Sequence, residues 1–197
     1  MRKAIVLLAS ILLLPPALVL SPEAPLSGVA TAGASVSILL GLGELLAPST
    51  YVITGSALDK KCQWEEIGGG RRIVTYTKVQ VDTSIVGAPG KTVWIRTLGG
   101  AVGDIGQSVS GEAQIATGSR ALFFLQKSGD ALVVTGMAQG HFPIIADEKG
   151  TSRLRPSPDA GVLLTAPGPT ISARVRLVGK ALDAAVAVIL EARRAMP

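Results

Sequence analysis

One cysteine, one histidine and seven aromatic residues in 197 positions deny this chain several chemistries at the outset. A lone Cys62 cannot close an internal disulfide, so the fold rests on packing. Its thiol is either a buried small apolar group or free to pair between chains. One histidine and one cysteine far apart cannot build a structural zinc site, and no carboxylate cluster has the spacing of a calcium loop. So few aromatics leave little for the stacking platforms and basic groove that a nucleic-acid-binding barrel requires. The net charge of +5 does not restore that reading. Residues 33–150 carry ten basic and ten acidic side chains, and the excess lies in residues 151–197, with seven basic and three acidic. Nucleic acid is not an expected partner, and neither a metal nor a cofactor is expected.

What the chain does have begins with an address. Met1-Arg2-Lys3 precedes an uncharged apolar run from Ala4 to Leu20, interrupted by Pro15-Pro16, the arrangement of a secretory signal peptide. Ala30 and Ala32 fit the small-residue cleavage pattern, which places the mature start at Gly33 and the leader at residues 1–32. The run is shorter than the roughly 20 residues of a spanning helix, an uncleaved anchor being the alternative reading. The protein is expected to be exported, to the periplasm, the cell envelope or the medium. The remaining length suits one domain with a sizeable core.

Val36 to Ala47 is apolar and leucine-rich and reads as a short helix, although Gly41 and Gly43 weaken it. Tyr51 to Ala57 reads as a strand in which Gly55 marks a bulge or a close backbone approach. From Ile73 to Thr83 the β-branched residues Ile73, Thr75, Thr77, Val79, Val81 and Thr83 alternate with Val74, Tyr76, Lys78, Gln80 and Asp82, which predicts one long curved strand with the first set inward. Further strands are expected at Lys91 to Leu98, Glu112 to Ala116, Arg120 to Gln126 and Ala131 to Thr135, with Ser128-Gly129-Asp130 as a hairpin turn. Short strands bounded by glycine turns predict a mainly β fold. We read residues 33–150 as a small antiparallel OB-like Greek-key barrel with a short N-terminal helix, a β-sandwich being the alternative. Residues 151–170, with four prolines, read as a linker. Residues 171–197 read as an amphipathic helix with the stripe Ile171, Val175, Val178, Leu182, Ala185, Val186 and Ile189. That helix is expected to dock within the protein, peripheral contact with an anionic membrane being the alternative.

Three near-motifs fail on spacing or context. Val86 to Thr92 ends like a phosphate loop but has Ile85 where the first glycine belongs. Gly99 to Gly106 resembles a dinucleotide loop without its spacing or its helix, and reads as a loop at the barrel rim. Gly106-Gln107-Ser108-Val109-Ser110-Gly111 approaches a nucleophile elbow, which would make the chain a secreted hydrolase with a serine nucleophile in Gly106 to Gly111 and His141 as the sole imidazole base. His141 reads equally as a surface or capping residue. The acidic pairs Glu65-Glu66 and Asp147-Glu148 read as solvated turns.

The succession Gly-Glu-Leu-Leu (43 to 46), Tyr-Val-Ile-Thr-Gly (51 to 55), Arg-Ile-Val-Thr-Tyr-Thr-Lys-Val-Gln-Val (72 to 81), Val-Trp-Ile-Arg-Thr-Leu-Gly-Gly (93 to 100), Leu-Phe-Phe-Leu (122 to 125) and Gly-Met-Ala-Gln-Gly-His-Phe (136 to 142) resembles a group of small exported bacterial proteins of unassigned activity. Its order is similar to the barrel of the tissue inhibitors of metalloproteinases and netrin modules. That resemblance implies an OB-like barrel and nothing of mechanism, because those inhibitors use an amino-terminal cysteine and several disulfides, whereas Cys62 is internal. The expectation is an exported, non-catalytic binding or structural module acting on a protein or envelope component. Arg96, Gly99, Gly100, Gln107, Gln139 and His141 form its candidate binding surface.

Overall fold

The computed structural model describes residues 36–165 and 171–196, so the leader expected over residues 1–32 lies outside the described residues. The helix expected over Val36 to Ala47 divides into strand β1 (Val36–Ile38) and helix α1 (Leu42–Leu46). Gly41 is the reason: it sits extended at the N-cap, and its N–H donates to the Glu44 carboxylate at 2.6 Å, so helix begins only after it. The preceding residues satisfy their backbone by pairing in parallel with Val162–Leu164.

β2 (Tyr51–Ile67) and β3 (Gly70–Val86) form a long antiparallel hairpin that turns at Gly68-Gly69, both with positive φ. β2 thus runs ten residues past the strand expected to end at Ala57, and it carries Glu65 and Glu66, which are strand residues and not turn residues. Gly55 behaves as its position suggests. The register slips beside it, and a Cβ there would come within 2.5 Å of Val79 Cγ1 and 2.6 Å of the Gln80 carbonyl. β4 (Thr92–Leu98) continues the meander. A small hairpin, β5 (Gly100–Val102) with β6 (Ile105–Gln107), replaces the expected rim loop. β7 (Arg120–Ser128) and β8 (Ala131–Val134) join through Gly129-Asp130. β8 lies parallel to β4 and antiparallel to β7, and β7 pairs back onto β2. The ring β2-β3-β4-β8-β7 is therefore closed, a five-stranded Greek-key barrel of OB type.

The sheet continues beyond the ring through β9 (His141–Ala146) and β10 (Ser152–Leu154). The segment expected to be a linker is thus partly sheet: β10 bonds to β9, and β11 (Val162–Leu164) is the partner of β1. The single helix expected after residue 170 is two, α2 (Ala173–Leu177) and α3 (Leu182–Arg194). The break has a clear cause. Gly179 takes φ +78, and the chain leaves the helix to exchange hydrogen bonds with β10, Gly179 N–H to the Leu154 carbonyl at 2.9 Å and Leu154 N–H to the Lys180 carbonyl at 3.2 Å. The buried helical residues become Ala173, Leu177, Ala185 and Ile189, whereas Ile171 and Val175, assigned to the apolar stripe, are 62% and 73% exposed.

Two cores result. Ile53, Ala57, Val79, Val93, Ile95, Ala121, Phe123 and Leu125 fill the barrel. Val52, Leu122 and Phe124 point the other way and are covered by Leu42, Leu45 and Leu46 of α1, Leu177 of α2 and Ile189 of α3, so the C-terminal helices dock on their own barrel. The expected strand over Glu112 to Ala116 does not form. That segment lies outside any strand, its Gln114 N–H being taken by the Asp159 carboxylate at 2.9 Å, while Ala113 and Ile115 join the barrel core.

The inward row of β3 is buried at Ile73, Thr77 and Val79, but Val74 on the other row is fully buried too. Thr77 carries a buried hydroxyl with no partner among the described residues. Val79→Asp should therefore cost several kcal/mol and abolish folding, while Thr77→Val on the same wall should gain about 1 kcal/mol. Thermal melts with circular dichroism read both, and an unchanged melt for the first or a large loss for the second would refute this assignment of the wall.

Candidate functional site

The β-branched rows of β3 and β4 end in hydroxyls at the bottom of the barrel. Thr75 donates to the Gly99 carbonyl at 2.7 Å, and Thr97 donates to the Thr75 carbonyl at 3.4 Å. Cys62, opposite Thr75 in register, places its sulfur 3.3 Å from the same hydroxyl. Gly100 makes this possible: it has φ +132, and a Cβ there would lie 2.5 Å from Thr75 Oγ1 and 2.8 Å from Cys62 Sγ. The half-buried thiol is held below its ordinary value by the Thr75 hydroxyl, against the effect of burial, with help from the Ala101 N–H and Lys60. Thr75 has one proton, so it serves either the Gly99 carbonyl or a thiolate, and in the hydrogen-bonded arrangement the thiol is the donor.

A polar cleft of about 200 Å³ opens beside this pair, lined by Lys60, Thr75, Thr97, Gly99, Gly100, Gln107, Ser108 and Glu112. Glu112 is its most unusual member, at 8% exposure. Burial pushes its carboxyl above the usual carboxylate range, and the N–H groups of Leu98 and Ala113 and the charge of Arg96 offset only part of that. Among the described residues no cation forms a salt bridge with it. A buried carboxylate without an ion partner, facing an open cleft among hydroxyls and amides, is suited to a ligand group that is positively charged and rich in donors.

The six sequence-predicted surface residues do not gather in one place. Gly99, Gly100 and Gln107 line the cleft, the Gln107 side chain accepting from the Ile73 N–H at 2.7 Å. Arg96 lies on the outer barrel face, paired with Glu65 at 3.3 Å and close to Ser128. Gln139 is a clamp on the N-terminal segment, accepting from the Leu40 N–H and donating to the Ile38 carbonyl, both at 2.9 Å. His141 is not a surface residue at all. It is 4% exposed, stacked on Phe123 with ring centres 5.3 Å apart, and 3.3 Å from the Ser157 hydroxyl. Ser157 in turn meets Asp159 at 3.4 Å. The acid therefore orients the hydroxyl, whereas in a catalytic triad it orients the imidazole. Ser108 lines the cleft together with Lys60.

Glu112, Cys62 and the outer face were missed by the sequence reading. On that face Lys61 Nζ lies 5.6 Å from the Tyr76 ring centre and 5.3 Å from that of Trp94, while Arg71 stacks over Trp64 at 4.8 Å on the opposite face, that of Cys62 and Thr75. Tyr76 donates to Glu65 at 2.8 Å, and Arg96 and Gln63 reach the same carboxylate. Burial alone would raise Glu65, but those bonds and the Arg96 charge hold it below its ordinary value. The signal was present in the period-two spacing of Tyr76, Lys78, Trp94 and Arg96, but only the cross-strand register aligns them with Lys61.

His141 also supplies a pH prediction. Burial, partly countered by the Asp159 charge, lowers it to about 4. Below its unfolded value near 6.5 the unfolded chain takes the proton first, so stability present above pH 6.5 is lost as pH falls to about 4, by about 3 kcal/mol in all. His141→Phe keeps the stack on Phe123 and removes the titration, so its stability should fall less across that interval. Parallel slopes in denaturant melts at successive pH values would refute the role of His141. No family model and no curated protein matches this chain.

Proposed function

We propose that the chain is an exported, non-catalytic binding module whose cleft receives a positively charged, donor-rich group carried by a protein or by a component of the cell envelope. The observation that carries this reading is Glu112, a carboxylate 8% exposed, with no salt bridge among the described residues, at the wall of a cleft of about 200 Å³. An unpaired buried charge costs stability, and a ligand that supplies the partner recovers it. Export rests on the leader pattern of residues 1–32. The likeness to netrin-type barrels belongs to the same proposal, for strand order alone.

Glu112→Gln preserves the side-chain shape and removes the charge. The variant should melt at or above the wild-type temperature at neutral pH, because it removes a buried carboxylate whose charged form burial disfavours and no salt bridge among the described residues offsets. In capture from a native envelope fraction it should bind at least roughly thirtyfold more weakly, the usual result of removing one member of a buried charge pair. Acetylating the amines of that fraction should abolish capture by the wild type. Equal capture by Glu112→Gln, or capture unaffected by acetylation, would overturn the proposal.

A further inference from the structure

Strand β2 outlasts its second partner. The edge turned away from β3 is covered by β7 from Tyr51 to Ser56, and then by bonds from the Ala57 N–H to the Ser119 carbonyl and from the Gly118 N–H to the Ala57 carbonyl. From Asp59 to Ile67, among the described residues, β3 alone pairs with β2. The β5–β6 hairpin brings Gly100 over Thr75 and Cys62 on the neighbouring face, but it pairs only within itself. A long strand edge without a partner is a template for another strand.

The direction of its backbone groups follows from β3. Ile73, opposite Trp64, donates its N–H to the Gln107 side chain and accepts from the Gly99 N–H at its carbonyl, so both groups face away from β2. Ile73 and Trp64 are thus a non-hydrogen-bonded pair, and the N–H and carbonyl of Trp64 point out of the free edge. By alternation, so do those of Lys60, Cys62 and Glu66. In keeping with this, the Lys60 N–H is met by the Asp59 carboxylate at 2.8 Å. A twofold antiparallel partner must set outward groups against outward groups, so its centre falls on a residue and not between two. Side-chain charge then selects the residue. Residues 59–67 read Asp-Lys-Lys-Cys-Gln-Trp-Glu-Glu-Ile, and about Gln63 they set Lys60 opposite Glu66 and Lys61 opposite Glu65, each match occurring twice by symmetry. A centre at Cys62 or Trp64 breaks both matches. Lys60 and Glu66 are exposed and form no salt bridge among the described residues, the Arg71 guanidinium across from Glu66 lying over Trp64 instead. Charges on an edge ordinarily deter pairing, but a basic half followed by an acidic half admits one antiparallel register and rejects the shifted ones.

We propose that the edge of β2 from Lys60 to Glu66 is a self-association surface, on which a second copy of the chain adds its own β2, antiparallel about Gln63. The product is a twofold dimer with one sheet running through both copies. The occupant follows from the charge order, which is complementary to itself. This surface does not depend on Glu112 or on what the cleft receives.

Sedimentation of the full chain over a range of concentrations should show monomer and dimer and nothing larger. Glu66→Lys sets lysine against Lys60 twice and should weaken the dimer about tenfold or more, and adding Lys60→Glu should restore it. Disulfide formation under mild oxidation reads the register without any charge variant. In a chain carrying Cys62→Ser, Gln63→Cys lies opposite itself and should cross-link. Wild-type Cys62 lies diagonal to its copy, too far for a disulfide, and Lys91→Cys with Cys62→Ser sits on the β3–β4 turn, so both should cross-link at least about tenfold more slowly. Four outcomes would overturn the proposal: a monomer at every concentration, meaning the edge stays open or takes another kind of chain; a dimer indifferent to Glu66→Lys, meaning another surface drives it; a double reversal that fails to restore association; or Gln63→Cys cross-linking no faster than either control.

Discussion

Strand β7 pairs with β2 along one edge and shares its other edge between β8 and β9. Those three pairings close the barrel and attach the outer sheet at the same time. The alternation of its side chains then divides the hydrophobic residues between two cores, with Ala121, Phe123 and Leu125 inside the barrel and Leu122 and Phe124 under the helices. Both sets are fully buried. A one-residue slip of β7 would exchange them and leave neither core filled, so this register is the constraint on which the rest depends.

The helical layer follows from that strand. α1, α2 and α3 bury their apolar sides against the outer face of β2 and β7 together with Phe142, Ile144 and Leu154 of β9 and β10 and Ile85 and Val86 of β3, and each helix delivers leucine, alanine or isoleucine to that cluster. Five-residue helices such as α1 and α2 are unstable in isolation and exist here because their apolar sides are covered. Hydrogen bonds from β10 hold the break between α2 and α3 in place, and α2 buries Ala173 and Leu177, which leaves Val175 on its opposite side exposed.

At the opposite extreme of polarity, the barrel end combines threonines, a thiol and a buried carboxylate. An apolar residue at Glu112 would spare the barrel the cost of burying a carboxyl that no salt bridge among the described residues offsets. The presence of that carboxyl beside an open cleft is a local conflict of the sort that marks binding sites. The outer strip of Lys61, Tyr76, Trp94 and Arg96 is less exposed to that argument, because its aromatic rings and Glu65 already satisfy its cations.

Alternation, glycine turns and β-branched content are local properties, and they were enough to reveal a mainly β barrel, the inward row at Thr77 and Val79, the bulge at Gly55 and the β7–β8 turn. The place of Gly99, Gly100 and Gln107 at the barrel rim, where they line the cleft, was legible for the same reason, since a glycine-rich interruption between strands marks a rim. Glu112 was not legible, because it stood in a stretch with strand-like spacing and its burial depends on Leu98 and Ala113 meeting its carboxylate. His141 lost its place on the surface to a ring stack across the β7–β9 pair. The helix after residue 170 was divided by bonds from a strand some 25 positions earlier. By itself the sequence determined which segments could be strands and which faces were apolar, because pleat and period are set by neighbouring residues. Only the tertiary structure decided which apolar faces were covered and which carboxylate was buried, because those depend on groups distant in the chain arriving at the same place.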